Sequence, residues 1–247
     1  MGRLRTLFNT VFIGGTAIIW LFLSAFVAVP FLYLLEDKTA RKVHKFVFVQ
    51  SCGIMWLVRL ASKSFKVEHA ARPTGPCVVV ANHASAVDLY TVSVVGFDNV
   101  VYVTKGWVFK IPFFRFVMNR AGYIDAEKTP PQEMLNLCRK AVENGSDIVL
   151  FPQGSRKDPQ ARFKSGAFYL AEQLGLPVVP MAIVGTQKML PAGTFWIRSA
   201  HIVLKTFQAV SPAHYTGALG HLHMAQDVKK HIMDFVNKEN EKLNSSN

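Results

Sequence analysis

The sequence predicts an α/β fold: a mixed, largely parallel sheet flanked by helices, preceded by an N-terminal membrane-embedded helical segment. Apolar β-branched runs alternate with helix-period patterns along most of the chain, which favours such a sheet. The front of the chain is uncharged from residue 6 to residue 35. A length of 247 residues suits one α/β domain plus an appendage. We therefore expect a hydrophobic anchor over residues 1–63 and one α/β domain over residues 64–247.

The uncharged run at residues 6–35 would span roughly 45 Å as a helix, enough to cross a bilayer. A second uncharged run, residues 46–58, is too short to span alone. Basic residues flank both ends of the first run, so the positive-inside rule assigns no direction. We favour a helical pair embedded from one leaflet and broken near Pro30 over a single crossing.

The charge balance indicates anionic partners, because 28 Lys and Arg against 16 Asp and Glu give a net charge of +12. A basic chain suits nucleic acid, an anionic membrane surface or phosphorylated substrates. We find no basic-aromatic nucleic-acid module, and the hydrophobic front favours the last two. The three cysteines lie in apolar contexts typical of reduced packing residues, which places the α/β domain in the cytosol. His221 and His223 are better explained as a solvated helix face than as a metal site.

The α/β domain begins with a short strand at residues 65–68 and a turn-rich loop at 70–76. Five further apolar runs predict strands over residues 77–81, 100–104, 148–151, 178–184 and 202–207. The pattern at 130–144 predicts a helix that opens with Pro-Pro and closes at Gly145, and the polar end at 239–247 is expected to fray. Because ligands collect at the carboxyl ends of strands in such sheets, His83, Lys105 and Gln153 are expected to share one edge.

Residues 82–90 carry the strongest chemical signal. They follow a strand and precede an apolar helical stretch at 89–97. Ser85 and Asp88 fit the capping pattern Ser-x-x-Asp, which predicts Ser85 as the N-cap and places Asp88 in the first turn. The five-residue spacing from His83 lets the Asp88 carboxylate meet one imidazole nitrogen while the other faces solvent. Such a pair is a general base with its orienting group.

Four more stretches follow in a recognisable order, at residues 105–112, 122–128, 151–156 and 179–183. With these, the chain resembles the 1-acyl-sn-glycerol-3-phosphate acyltransferase family over about residues 65–210. The resemblance implies transfer of a fatty acyl group from a thioester of coenzyme A or acyl carrier protein to the sn-2 hydroxyl of lysophosphatidic acid. The product, phosphatidic acid, belongs to phospholipid biosynthesis. The enzyme would lie at the cell membrane, with its catalytic domain, residues 64–247, on the cytoplasmic face.

By that resemblance His83 takes the proton of the glycerol hydroxyl, and Asp88 fixes the imidazole tautomer. No protein nucleophile and no cofactor are needed. Backbone amides near His83 are expected to hold the developing oxyanion. The resemblance also places Asn82, Gly122 and Gln153 among the substrate-binding residues.

The stretch at 151–157 has the ingredients of an anion cradle. Gly154 lets backbone amides approach a phosphate, Ser155 adds a donor and Arg156 supplies a planar cation. Lys105 repeats the arrangement of a cation directly after a strand. The resemblance assigns the phosphate of the acyl acceptor to Lys105, Arg156 and Lys128.

Two departures from the family pattern involve three residues. Glu127 and Lys128 stand where the family usually has Asp-Arg, and Gln153 replaces the usual Glu, which leaves the pocket more positive. These departures keep two alternatives open: an acyltransferase for another lysolipid such as lyso-ornithine lipid, and a catalytically weak membrane-binding family member. A serine hydrolase is disfavoured, because Ser85 and Ser155 lack a Gly-x-Ser-x-Gly elbow.

Overall fold

The structure, a computed structural model, describes residues 2–34, 40–106, 110, 112–156, 158 and 160–245. Within them one seven-stranded sheet has the order β1-β7-β6-β2-β5-β3-β4. The strands are β1 Ser64–Glu68, β2 Val78–Ala81, β3 Val100–Thr104, β4 Ile124–Asp125, β5 Asp147–Leu150, β6 Val178–Val184 and β7 His201–Thr206. The predicted mixed, largely parallel sheet is confirmed. Strand β4 was missed, because two residues are too few to leave a pattern.

Strand direction decides which loops meet. All neighbouring strands are parallel except β6 and β7, which are antiparallel. The carboxyl ends of β2, β3, β4, β5 and β6 therefore lie at one edge, which we call the carboxyl edge. Because β1 runs parallel to β7, the amino ends of both strands lie at the carboxyl edge as well.

The helices are α1 Gly2–Phe8, α2 Gly15–Leu34, α3 Arg41–Ala61, α4 Asp88–Val94, α5 Pro112–Arg120, α6 Pro131–Glu143, α7 Gly166–Leu174, α8 Thr186–Met189 and α9 Gly220–Ser245. A π-helical segment, Asn9–Gly14, joins α1 to α2. The expected fraying from residue 239 is wrong up to Ser245. Lys242 and Glu239 pair at 2.6 Å, and Leu243 packs against the core, so these residues stabilise the last turns of α9.

The core has two layers, one on each face of the sheet. Val78 and Val80 of β2 point to the layer formed with α6, α7 and α9, whereas Val79 and Ala81 point to the layer formed with α3 and α4. All four residues of β2 are fully buried. A strand covered on both sides reads as a continuous apolar run, which is why the sequence predicts it so clearly.

The N-terminal helices form the expected pair. The Trp20 ring lies against Gly53, and the Ser24 hydroxyl hydrogen-bonds Gln50 Oε1 at 2.8 Å. The expected break near Pro30 is absent, because α2 continues through Pro30 to Leu34. Continuing the helix sacrifices one hydrogen bond at the proline, whereas ending it in apolar surroundings would leave several backbone groups unpaired. Segments Gly2–Ser24 and Arg41–Ala61 are each long and apolar enough to cross a membrane.

Helix α3 has two different faces. Ile54, Met55, Val58 and Ala61 are buried in the same layer as β2, while Trp56 is 61% exposed. The boundary predicted after Lys63 therefore separates α3 from the sheet on which it packs. Helix α3 shares its core with the domain at 64–247.

Candidate active site

His83 lies in the loop that leaves β2 at the carboxyl edge. Its Nδ1 is 2.9 Å from Asp88 Oδ2, so the contact expected from the spacing is present. The Phe151 ring packs against the imidazole with 4.4 Å between ring centroids. The side chain of His83 is 15% exposed. These contacts fix the ring and leave Nε2 as the nitrogen that can act as a base.

Asp88 is fully buried and holds His83 through a network of donors. Its Oδ2 also accepts the backbone N–H groups of Ala84 and Ser85, each at 2.7 Å, and its Oδ1 accepts the Thr186 hydroxyl at 2.6 Å. A carboxylate oxygen that accepts two amides is set to accept from the imidazole as well, so the proton on Nδ1 points to Asp88. Thr186, which begins α8 after β6, was missed because nothing in its local sequence marks it.

The same network engages three of the backbone amides near His83 that were expected to hold the oxyanion. The amides of Ala84 and Ser85 donate to Asp88, and the His83 amide donates to Gln153 Oε1 at 2.5 Å. A buried carboxylate recruits nearby donors because leaving it unpaired costs several kcal/mol, as an order of magnitude. These three amides are therefore engaged within the protein and do not form an oxyanion hole.

Ser85 has a different role from the one predicted. The N-cap position of α4 is Val87, and Ser85 Oγ accepts the Val87 N–H at 3.3 Å in the turn before the helix. Its hydroxyl donates to the carbonyl of Leu190 at 2.8 Å, and the residue is fully buried. The prediction of Ser85 as N-cap is wrong by two residues, because the chain makes a turn at residues 86–87 before α4 begins. The bond from Val87 N–H to Ser85 Oγ and the bond from Ser85 N–H to Asp88 nevertheless resemble those of a capping box.

Asn82 and Gln153 both fix the backbone around His83. The amide of Asn82 bonds the N–H and C=O of Ile183, each at 2.8 Å, and extends the pairing of β2 with β6 through a side chain. Gln153 is 5% exposed and joins the loop after β5 to that after β2. These contacts favour positioning roles for two residues that the sequence suggested would bind substrate.

The basic residues of the predicted phosphate site follow β3, β5 and β4. Lys105 and Lys128 are exposed, and Arg156 is half-buried beside Ser155. The three strands are parallel neighbours, so the structure brings these segments to the carboxyl edge. Gly122 is not brought there, since it adopts a φ of 66° in the turn that ends α5, ahead of β4.

Lys164 is a further cation that the sequence did not single out. Gly154 has a φ of 65°, and a Cβ built there would lie 3.3 Å from Cε and Nζ of Lys164. The Lys164 amide donates to the carbonyl of Pro152 at 2.9 Å. Glycine at 154 thus allows the ammonium to fold over the anion cradle.

The histidines and cysteines considered outside this site have packing or surface roles. Within the part of the chain that the structure describes, no cluster of His, Cys, Asp or Glu could hold a metal ion. His221 lies 3.5 Å from Glu172 on the far helical layer. Burial raises the pKa of the Cys138 thiol to about 12, so this cysteine is a packing residue.

Comparison with known proteins identifies a family and several relatives. The family described as Acyltransferase matches residues 62–184. A chloroplastic 1-acyl-sn-glycerol-3-phosphate acyltransferase of Brassica napus is 32% identical over 74% of this chain and 54% of its own length. One from Pseudomonas aeruginosa is 27% identical over 72% of this chain and 70% of its own. The chain thus spans about half the length of the plant relative.

The fold is also that of a solved structure. The 1-acyl-sn-glycerophosphate acyltransferase of Thermotoga maritima superposes with a TM-score of 0.75 at 20% identity, covering 97% of this chain and 98% of the other. This likeness includes the N-terminal helices as well as the sheet. From the matched family and the relatives, the chain belongs to the acyltransferase family that includes the 1-acyl-sn-glycerol-3-phosphate acyltransferases.

Proposed function

We propose that the protein transfers a fatty acyl group from an acyl thioester to the sn-2 hydroxyl of lysophosphatidic acid and so makes phosphatidic acid. The observation that carries the proposal is the His83–Asp88 pair at the edge of the sheet that also bears the cations. Membership of the family supports the reaction class. Coenzyme A and acyl carrier protein are both suitable carriers of the donor.

His83 is the general base. Its Nε2 takes the proton of the glycerol hydroxyl while the oxygen forms a bond to the thioester carbonyl carbon. Asp88 keeps the other nitrogen protonated and stabilises the imidazolium. The tetrahedral intermediate then collapses with loss of the thiolate, which takes the proton from the imidazolium. The protein itself forms no covalent bond, which agrees with the engaged hydroxyl of Ser85.

The phosphate of the acceptor is bound by Arg156, Lys105, Lys164 and, more peripherally, Lys128. A phosphate monoester carries nearly two negative charges at neutral pH, and charge-assisted bonds to it are about twice as strong as neutral ones. The acceptor thus lies on the β3 side of His83. The apolar N-terminal helices hold the protein at the cell membrane, with the catalytic domain on the cytoplasmic face.

An assay of the purified full chain in detergent tests the proposal. Labelled acyl-CoA and acyl carrier protein thioesters are each offered with lysophosphatidic acid, lyso-ornithine lipid, lysophosphatidylcholine and an uncharged monoacylglycerol. We expect lysophosphatidic acid to be the acceptor that is used fastest. His83→Ala should abolish it, whereas His223→Ala, a change on the exposed face of α9, should not.

Two outcomes would reject the proposal. Full activity of His83→Ala would contradict the mechanism, and equal use of the uncharged acceptor would contradict the phosphate site.

Arg156→Ala and Lys164→Ala should raise KM for lysophosphatidic acid and leave KM for the acyl donor unchanged. Arg139→Ala on exposed α6 is the matched control, since it removes one positive charge elsewhere.

A further inference from the structure

A cavity of about 780 Å³ lies between the first helix and the segments that lead into β1 and β7. It is lined by Gly2, Arg3, Arg5, Thr6, Leu7, Lys63, Trp196, Arg198 and Ser199. The cavity is separate from the residues assigned to acyl transfer. None of the proposed catalytic or acceptor-binding side chains lines it.

The walls of this cavity are fixed by specific contacts. The π-helical segment presents two polar side chains: Asn9 Nδ2 donates to Ser199 Oγ at 3.1 Å, and Thr10 Oγ1 accepts the Ile197 N–H at 2.9 Å. Asn9 is 3% exposed although it directly follows α1, whose side chains are mostly exposed. On the opposite wall, the Lys63 amide donates to the carbonyl of Ala200 at 2.9 Å. The helix is therefore docked on the domain at this point.

The cavity is strongly positive. Arg3 and Arg5 come from α1, and Lys63 and Arg198 come from the other wall. Among the described residues no carboxylate lines the cavity, so no described lining residue neutralises the four cations. Cations that share one cavity repel one another, and an anion bound between them relieves the repulsion.

The position of the cavity in the fold sets the depth in the membrane at which an anion would bind. Exposed apolar side chains of α1, among them Leu4 at 75% and Phe8 at 53%, lie on one side of the cavity. Phe195 and Trp196, which pack together at 4.8 Å, lie on another and are 69% and 41% exposed. Aromatic and basic residues beside an apolar helix are typical of the level of lipid headgroups.

The strand order separates this cavity from the acceptor site. The amino ends of β1 and β7 lie at the carboxyl edge, like His83. Strand β1 is three strand spacings from β2, roughly 14 Å. The acceptor cations follow β5, β3 and β4, on the other side of β2. Two basic sites thus flank the histidine in opposite directions.

We propose that this cavity binds the phosphate headgroup of an anionic phospholipid of the bilayer, as a second lipid site beside the catalytic one. The inference rests on the membrane location proposed above, and it does not depend on acyl transfer. The four cations bind the phosphate, while Leu7 and Trp196 contact the glycerol and the first acyl carbons. A bound lipid of this kind holds the carboxyl edge flat against the membrane.

Calorimetric titration tests the site on the full chain in a neutral detergent. The probes are short-chain phosphatidylglycerol, short-chain phosphatidylcholine and soluble glycerol 3-phosphate. We expect the phosphatidylglycerol to bind clearly more tightly than the other two. In the double variant Lys63→Ala/Arg198→Ala its Kd should rise roughly thirtyfold, because two basic residues near an anionic headgroup are removed. Arg139→Ala/Lys140→Ala removes the same charges from α6 and should leave the Kd unchanged.

Four results would overturn the proposal. Equal binding of phosphatidylcholine would mean that charge is not recognised, and equally tight binding of glycerol 3-phosphate would identify a site for a soluble phosphate. An unchanged Kd in the double variant would place the lipid elsewhere. A KM for lysophosphatidic acid that is raised in the double variant, measured in detergent without phosphatidylglycerol, would assign the cavity to the acceptor. Arg198→Lys, which keeps the charge, should retain most of the affinity. That result would show that lost charge, and not a folding defect, weakens phosphatidylglycerol binding in the double variant.

Discussion

Asp88 acts on His83 through a single oxygen, which makes its replacement informative. Asparagine at this position keeps an oxygen for the two backbone N–H groups and the imidazole but removes the negative charge. The imidazolium then loses its stabilising partner, and we expect kcat to fall by about 10²- to 10⁴-fold with KM for the acceptor almost unchanged. Initial-rate kinetics of Asp88→Asn in detergent measure both constants.

Thr186→Val provides the matched control for that change. Valine has nearly the shape of threonine and removes only the bond to Asp88 Oδ1. Because the contact with His83 persists, we expect a smaller fall in kcat, about tenfold for one charge-assisted bond. A loss as large as that of Asp88→Asn would show that His83 depends on the bond between Thr186 and Asp88 rather than on the charge of Asp88.

Gln153 departs from the family pattern, and the structure changes how its effect is explained. Its Oε1 accepts the His83 amide, and a glutamate could accept the same bond. We therefore expect Gln153→Glu to change acceptor affinity by no more than roughly tenfold and to leave the chemistry intact. Gln153→Leu, which buries an unpaired N–H, should lower the free energy of unfolding by about 1–3 kcal/mol.

Kinetics on phosphorylated and zwitterionic lysolipids, together with urea unfolding, measure these two changes. An inactive wild type that Gln153→Glu activates by orders of magnitude would identify the natural protein as a silent family member. The proposed enzyme activity would then be wrong.

At the scale of elements, the edge strand β1 is joined to β7 by an ion-pair group. Glu68 lies 2.6 Å from Lys66 and 2.8 Å from Lys205. Hydrogen bonds from Lys205 and then Lys66 lower the pKa of Glu68 from 4.5 to about 2. A lowered carboxyl pKa contributes stability above the unfolded pKa, and this stability is lost as the pH falls from about 4.5 toward 2.

We expect Glu68→Gln to lower the free energy of unfolding at pH 7 by less than about 1 kcal/mol, since the group is partly exposed. The difference from wild type should shrink as the pH falls below about 4.5 and with added salt. Urea unfolding at a series of pH values measures it. A difference that grows in acid would assign the effect to packing.

The elements show what the sequence could and could not predict. Strands β3 and β6 were predicted at their exact bounds, because buried apolar runs are a local signal. The N-cap of α4 was placed two residues too early, because a turn at residues 86–87 separates Ser85 from the helix start at Asp88. The contacts of Thr186 and Lys164 with the site depend on how distant segments come together, and no local pattern encodes that. The carboxyl edge was predictable; the partners across it were not.

At the scale of the whole molecule, helix α2 is largely exposed, whereas helix α3 contributes side chains to the core. Removing residues 1–39 deletes the exposed apolar helix and leaves α3 on the sheet, so we expect a folded domain with weakened membrane binding. Removing residues 1–63 also deletes Ile54, Met55 and Val58 from the core. Each such loss costs about 2–5 kcal/mol in comparable cores, so this shorter chain should not fold.

Circular dichroism and thermal melting of the two truncated chains test this expectation, and vesicle flotation at low and high salt measures membrane binding. The basic domain should keep some attraction to anionic lipid, which high salt removes. A cooperative melt from the chain that begins at residue 64 would show that α3 is dispensable.

The reversed strand β7 has a practical consequence. By placing the starts of β1 and β7 beside the ends of the other strands, it gathers the candidate active site and the proposed lipid site on one side of the sheet. The turn at Gly75, which precedes β2, stands on the opposite side and is exposed. A fluorescent reporter or an affinity handle spliced into that turn would thus report on the enzyme in a native membrane without covering the surface where it works.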